Sequence, residues 1–181
     1  MDETAGFAFE HAPVGLMVTR HRLIEDCSPS LARMFGYSRA QLIGQSVATL
    51  YPSTKEFADV GRLWLAEFSG ALQYRDNRIM KRRDGAQFWC QVHGQSTTPH
   101  DPFAHCVWAF VDMSAQRPVV KLTPREREIA MLLVEGLTNR QIGARLAVSH
   151  RTVEAHRSRM MRKLEANSSA EMFAKLAGMP S

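Results

Sequence analysis

Near residue 118 the sequence changes its period, and that change governs what the chain can fold into. Ahead of it lie short runs with alternating character, as Phe88, Cys90 and Val92 stand against Trp89, Gln91 and His93. Behind it the apolar spacing is helical throughout. Pro118 forbids a helix from running smoothly across the join. A chain of 181 residues accommodates two small domains, divided here into residues 1–117 and 118–181. With 45% hydrophobic and 23% charged residues it is globular rather than disordered. The longest unbroken apolar runs, residues 129–134 and 106–111, are far shorter than the roughly 20 residues a membrane helix needs. The start, Met-Asp-Glu-Thr, lacks the basic and then apolar segments of a secretory signal. Cys27, Cys90 and Cys106 are widely spaced and form no Cys-x-x-Cys, which fits a reducing compartment. A cytoplasmic protein is expected.

The charge divides at the same place. Residues 1–117 carry 12 basic and 12 acidic residues, whereas residues 118–181 carry 11 and 6. The whole net charge of +5 therefore lies in the last third, as a polyanion partner would require or as a solvated basic face would show. That third punctuates itself. Thr123-Pro-Arg-Glu126 is a capping box with proline at the first helical position, Ile129, Leu132 and Leu133 form the apolar stripe behind it, and Gly136 ends it. Thr138-Asn-Arg-Gln141 opens a second helix with Ile142 and Leu146 inward. Ser149 caps a third, running to about Ala166 with Val153, Met160, Met161 and Leu164 on one side. Ser168-Ser-Ala-Glu171 caps a fourth, carrying Met172, Phe173 and Leu176.

Only Ala147-Val148 separates the second and third helices, the tight spacing of a helix-turn-helix. Away from the third helix's apolar stripe lie Arg151, Glu154, Ala155, Ser158, Arg159 and Arg162, at spacings of three and four. That face offers cations for phosphates and short or polar groups for base edges. The alternative is a salt-bridged solvent face, with Glu154 paired to Arg151 and Glu165 to Arg162. The residues Leu122-Thr-Pro-Arg-Glu-Arg-Glu-Ile129, Gly136-Leu-Thr-Asn-Arg-Gln-Ile142, Leu146-Ala-Val-Ser149, Thr152-Val-Glu-Ala-His156 and Lys163-Leu164 together resemble the LuxR-type (FixJ/GerE-type) DNA-binding domain over residues 121–178. Gln141 and Gly143 stand where Glu and Ala are more usual. The resemblance implies a four-helix domain whose third helix enters the major groove of double-stranded DNA. It nominates Glu154, Ala155 and Ser158 as base-facing and Asn139, Arg140, Thr152, His156, Arg157 and Lys163 as phosphate-facing. His156 also borders the apolar stripe and is equally a structural imidazole. The fourth helix either dimerises, as often in that family, or simply packs.

In the first domain, residues 15–19 and 23–27 read as strands around a turn, followed by short helices at 30–35 and 39–42. Ser53-Thr-Lys-Glu56 caps a helix to Ser69, with Phe57, Val60, Trp64 and Phe68 at helical spacing. Strands at 72–80, 87–96 and 106–112 follow, with Arg83-Asp-Gly85 turning between the first two. The expected fold is a five-stranded antiparallel sheet with helices on one face. This order, with Phe35-Gly-Tyr-Ser, Leu42-Ile-Gly44, Lys81-Arg-Arg-Asp-Gly85, Phe88-Trp89 and Asp112-Met-Ser114, resembles a PAS sensory domain over residues 7–117. Ser28 stands where Asn more often precedes the first short helix. The resemblance implies a ligand or cofactor between sheet and helices, or a domain that binds nothing and dimerises.

A photoreactive flavin would need an Asn-Cys-Arg-Phe-like motif, which is missing, and the long helix holds no histidine for a FixL-type haem. The cofactor is therefore unknown, with haem and photoreactive flavin disfavoured. Cys90 and His93, three apart on a strand, face opposite sides, so no metal is expected. Phe57, Trp64, Phe88 and Phe110 line either an apolar ligand pocket or plain core. No nucleophile elbow, phosphate-cradling glycine loop or His-Glu-x-x-His is present, and no enzyme is expected. The chain thus reads as a homodimeric PAS and LuxR-type transcription regulator. The alternative is a PAS-based interaction adapter without sequence-specific DNA readout.

Overall fold

Two left-handed residues start the N-terminal sheet. β1 (Gly15–Arg20) reverses into β2 (Leu23–Cys27) through His21 at φ 47° and Arg22 at φ 64°, the pair of positive φ angles that a tight hairpin turn matched to strand twist requires. The computed structural model describes residues 3–67, 72–115 and 122–177, and the chain forms two compact units. The expected boundary near Pro118 lies outside the described residues, as do Phe68 and Ser69.

The first unit runs α1 (Glu3–Glu10), β1, β2, α2 (Pro29–Phe35), α3 (Arg39–Leu42), one 3-10 turn (Val47–Leu50), α4 (Thr54–Glu67), β3 (Gln73–Lys81), β4 (Gln87–Ser96) and β5 (Cys106–Asp112). Its five strands form one sheet in the order β2-β1-β5-β4-β3. Antiparallel pairing sets Met17 opposite both Cys27 and Trp108, and Val92 opposite Phe110. The five-stranded sheet expected from the alternation is thus the one that forms. α1 was not anticipated, because none of its residues is buried and no apolar stripe marks it.

Side-chain caps place the short helices. The buried Ser28 hydroxyl accepts from Leu31 N at 3.2 Å and Leu16 N at 3.0 Å, tying the start of α2 to β1. The motifs that carried the resemblance also meet in space. Arg83 N donates to the Phe35 carbonyl at 2.9 Å, and Arg82 donates to the Met34 carbonyl while pairing with Asp112 at 2.6 Å. The β3–β4 turn is thereby latched to the end of α2 and to β5.

The second unit is α5 (Pro124–Val134), α6 (Asn139–Arg145), α7 (His150–Lys163) and α8 (Ser169–Ala177). Both expected capping boxes form reciprocally, Thr123 with Glu126 and Thr138 with Gln141. Ile129, Leu132, Leu133, Ile142, Val153, Met160, Leu164, Met172 and Leu176 are buried together as its core, whereas Leu146 and Phe173 are only half-buried. α7 stops at Lys163, short of Ala166, because Glu165 turns left-handed at φ 51° and Ala166 N returns to the Met161 carbonyl at 2.9 Å. At Gly143 a Cβ would lie 2.7 Å from the Val148 carbonyl oxygen. The glycine, costing about 1 kcal/mol of helix propensity against alanine, is what lets the turn lie against α6.

Gly94 on β4 faces Trp108 on β5, and a Cβ there would come within 2.5 Å of the indole. The ring is held by its Nε1 donating to Thr19 Oγ1 at 2.9 Å. Gly94→Ala is expected to lower unfolding free energy by about 1–3 kcal/mol through overpacking. Urea denaturation of the two proteins measures it; coincident curves would show an indole free to move aside.

Candidate nucleic-acid interface

Val153 and Met160 are fully buried, and this burial orients the whole of α7. Arg151, Thr152, Glu154, Ala155, Ser158, Arg159 and Arg162 are consequently exposed. Among the described residues Glu154 makes no ion pair with Arg151, nor Glu165 with Arg162. The salt-bridged solvent face is therefore not the arrangement found. Arg151, Arg159 and Arg162 have no carboxylate partner among the described residues, and the exposed face is left with uncompensated positive charge. Local bonds occupy two of its hydroxyls. Ser158 Oγ donates to the Glu154 carbonyl at 3.1 Å, and Thr152 Oγ1 lies 2.9 Å from Ser149 Oγ at the helix cap.

Three phosphate-facing candidates stand apart from that face. Arg157 is half-buried and donates from Nη1 to Asn139 Oδ1 at 2.6 Å, which fastens the start of α6 to α7. Lys163 Nζ reaches Glu126 Oε2 at 2.6 Å. The Glu126 side chain is 2% exposed and also accepts from its own N-cap, Thr123 N, at 2.7 Å. His156 is half-buried, with a buried Nδ1 that finds no hydrogen-bond partner among the described residues. Arg140 is exposed at the start of α6. Glu126 is the residue that charge and motif reading missed as an inter-helix anchor, having accounted for it fully as half of a capping box. Beside it, Thr123, Glu126, Arg159, Arg162 and Lys163 line an open cleft of about 490 Å³.

In the first unit Phe57, Trp64 and Phe110 line a small cavity of about 30 Å³ between the sheet and α4. Phe88 does not. It is buried on β4 at 2% exposure, but the β4 residue at the cavity is Val92, four positions along the strand and so about 13 Å away. The cavity also has polar walls that the aromatic pattern did not disclose: Thr19, Arg22, Tyr51, Tyr74 and Arg78. Arg78, 3% exposed, donates from Nε to Asp76 Oδ1 at 2.7 Å and from Nη1 to the Tyr51 hydroxyl. Tyr74 Oη donates to Asp76 Oδ2 at 2.6 Å. Burial alone would disfavour the Arg78 cation, but Tyr51 and Asp76 reverse the sign and raise its pKa. Tyr74, Asp76 and Arg78 alternate onto one sheet face, which was the available signal.

The three cysteines are buried and free. Burial pushes the Cys27 and Cys106 thiols up to about 11 and Cys90 to about 12, so all three stay protonated near neutrality. Among the described residues no group of three or more His, Cys, Asp or Glu is placed to hold a metal, and no helix is long and apolar enough to cross a membrane.

Two family descriptions match the chain. Residues 13–115 match the PAS domain, and residues 120–176 match bacterial regulatory proteins of the luxR family. A crystal structure of the PAS domain of a LuxR-family transcriptional regulator from Burkholderia thailandensis, in complex with ethanol, is 43% identical. It covers 63% of this chain and 99% of that one, with a TM-score of 0.57. The VqmA dimer of Vibrio cholerae shares the fold along nearly the whole chain, covering 99% of this chain and 91% of that one at 15% identity and a TM-score of 0.58. The tetrathionate response regulatory protein TtrR of Salmonella typhimurium is 44% identical over 61 residues, which are 34% of this chain and 30% of that protein. Matches to the curated relatives span only 20% to 36% of those proteins' own lengths.

The Glu126–Lys163 pair carries a pH signature. Burial opposes ionisation of Glu126, but Lys163 and Thr123 outweigh it and hold the carboxyl below its ordinary value. A depressed carboxylate contributes stability in full above its unfolded pKa of about 4.3, and that contribution is lost as pH falls through the folded value. Glu126→Gln should therefore flatten the acid limb of stability, read by urea unfolding from about pH 7 down to about pH 3. Lys163→Met, which strands the buried carboxylate, should cost about 1–3 kcal/mol near neutrality.

Proposed function

The chain belongs to the PAS family through residues 13–115 and carries a luxR-family domain over residues 120–176, and from that membership we propose a transcription regulator whose first domain senses a signal and whose second binds operator DNA. Residues 1–117 form the sensory part and residues 118–181 the DNA-binding part. The observation that carries this reading is the exposed face of α7, whose arginines lack carboxylate partners among the described residues. An uncompensated cationic helix face releases counterions on meeting phosphates, which drives DNA association.

In this reading Arg151, Arg159 and Arg162, with Arg140 and Thr152, meet the phosphates. Glu154, Ala155 and Ser158 face base edges in the major groove. Arg157 and Asn139 act mainly by holding α6 to α7, and Lys163 by holding α7 to Glu126 of α5, while the half-buried His156 stands as a structural imidazole. The protein works in the cytoplasm as a homodimer on paired half-sites, and catalyses no reaction. The ethanol complex of the Burkholderia thailandensis PAS domain supports a sensory cavity sized for a small molecule.

Selection of bound duplexes from a random library by the full chain tests the proposal, with convergence on one motif expected. Failure to converge at moderate salt would favour an adapter that does not read DNA. Glu154 is informative because a carboxylate repels phosphates and helps mainly by accepting from a cytosine amino group. Glu154→Ala should relax base preference while non-specific affinity holds or rises. Arg151→Ala should weaken every sequence alike and flatten the slope of log K against log salt by about 0.9 for its one contact. Identical selected motifs for wild type and Glu154→Ala would remove that carboxylate from readout.

A further inference from the structure

The cavity of the first domain holds a charge, that of Arg22, which no carboxylate among the described residues opposes. Arg22 sits in the β1–β2 turn at φ 64°, a backbone conformation in which asparagine or glycine is the usual occupant and which strains a branched or long side chain. Such strain collects at ligand clamps and switches. From there the guanidinium reaches the cavity wall. Its carbon lies 3.4 Å from the Phe57 ring centroid and 4.9 Å from that of Phe103, and Nη2 donates to the Phe57 carbonyl at 2.8 Å. α4 makes room for it, since a Cβ at Gly61 would lie 2.7 Å from Arg22 Nη1.

The charges around the cavity do not balance. Arg78 is matched by Asp76, through one hydrogen bond from Nε to Oδ1 at 2.7 Å and an ion-pair contact between Nη2 and Oδ2 at 2.7 Å. Among the described residues Arg22 has no carboxylate partner. Desolvation most strongly disfavours its charged form, Tyr51 acts against that, and the neighbouring Arg78 adds a smaller disfavouring effect. Apart from Thr19 and the hydroxyls of Tyr51 and Tyr74, the rest of the wall, with Met17, Val92, Trp64, Trp108 and Phe110 among it, is apolar and aromatic. A cavity of about 30 Å³ exceeds the roughly 10–15 Å³ that one water needs, so it suits an occupant of only a few heavy atoms.

We propose that this cavity is the receptor site for a small monovalent carboxylate, whose charge is read by the forked guanidinium of Arg22 and whose short alkyl end lies against the tryptophan and phenylalanine rings. A planar guanidinium offers paired donors that fit a carboxylate, and stacking on Phe57 holds that fork in one orientation before the ligand arrives. One unmatched cation calls for one negative charge. The proposal rests on reading the first domain as the sensor, and it names what is sensed.

Acetate and acetamide are nearly isosteric and differ in charge, so they separate anion recognition from simple cavity filling. Calorimetric titration of the full chain at matched ionic strength should show acetate binding at least about tenfold more tightly than acetamide, the size of effect a charge-assisted hydrogen bond supplies. Acetate should also raise the thermal midpoint. Arg22→Met should bring acetate down to the acetamide level. Gly61→Ala, which favours helix in α4 but displaces the guanidinium, should do the same and carries the test if Arg22→Met fails to fold. Equal binding of the two probes, acetate affinity untouched in both variants, or no binding of either overturns the carboxylate site. DNA selection measured on the same proteins without acetate keeps the two readings apart. Intact selection beside a failed titration removes only the ligand class, whereas failed selection by the wild type removes the regulator reading itself.

Discussion

Everything proposed for the C-terminal domain depends on the burial of Val153 and Met160. They lie seven residues apart, two turns of one helix, and both are fully enclosed against the neighbouring helices. Once they are fixed, α7 has no freedom to roll, and the identity of its exposed face is settled by geometry alone. The caps at Thr123, Thr138 and Ser149 set where each helix begins. The Glu126–Lys163 ion pair then fastens the start of α5 to the end of α7. Charge is thus used in two ways on one helix. Lys163 and Arg157 are spent inside the domain, and Arg151, Arg159 and Arg162 remain for a partner.

The first domain divides its charges similarly. Arg82 and Asp112 join the β3–β4 turn to β5, and the Arg82 bond to the Met34 carbonyl brings in the end of α2. Arg78 and Asp76 neutralise each other behind the cavity. Arg22 is held by aromatic faces and one carbonyl instead of by a carboxylate. Of these three arginines it is the one whose position costs backbone strain and whose charge finds no carboxylate among the described residues.

Much of this was legible in the sequence because the signals were local. Capping boxes, the change from alternating to helical spacing and the left-handed Gly85 and Gly136 each declare themselves within a few residues. The strand at 23–27 and the helix at 39–42 form as the spacing indicates. What sequence could not disclose were long-range pairings. Nothing near Lys163 points to Glu126, 37 residues earlier, or links Arg22 to Phe57, 35 residues later. Aromatic character points to Phe88 for the cavity, yet depth along β4 decides that matter and composition does not. α1 leaves no such signal, because an unburied helix needs no apolar stripe.

The central claim is that the exposed face of α7 is where this protein meets DNA. Backbone amide shifts of the full chain, recorded by NMR on titration with a selected duplex, test it most directly. The account predicts the largest changes at Arg151, Glu154, Ala155, Ser158, Arg159 and Arg162, with smaller ones at Arg140. A silent α7, with changes gathered on α8 or on the N-terminal sheet, would contradict it.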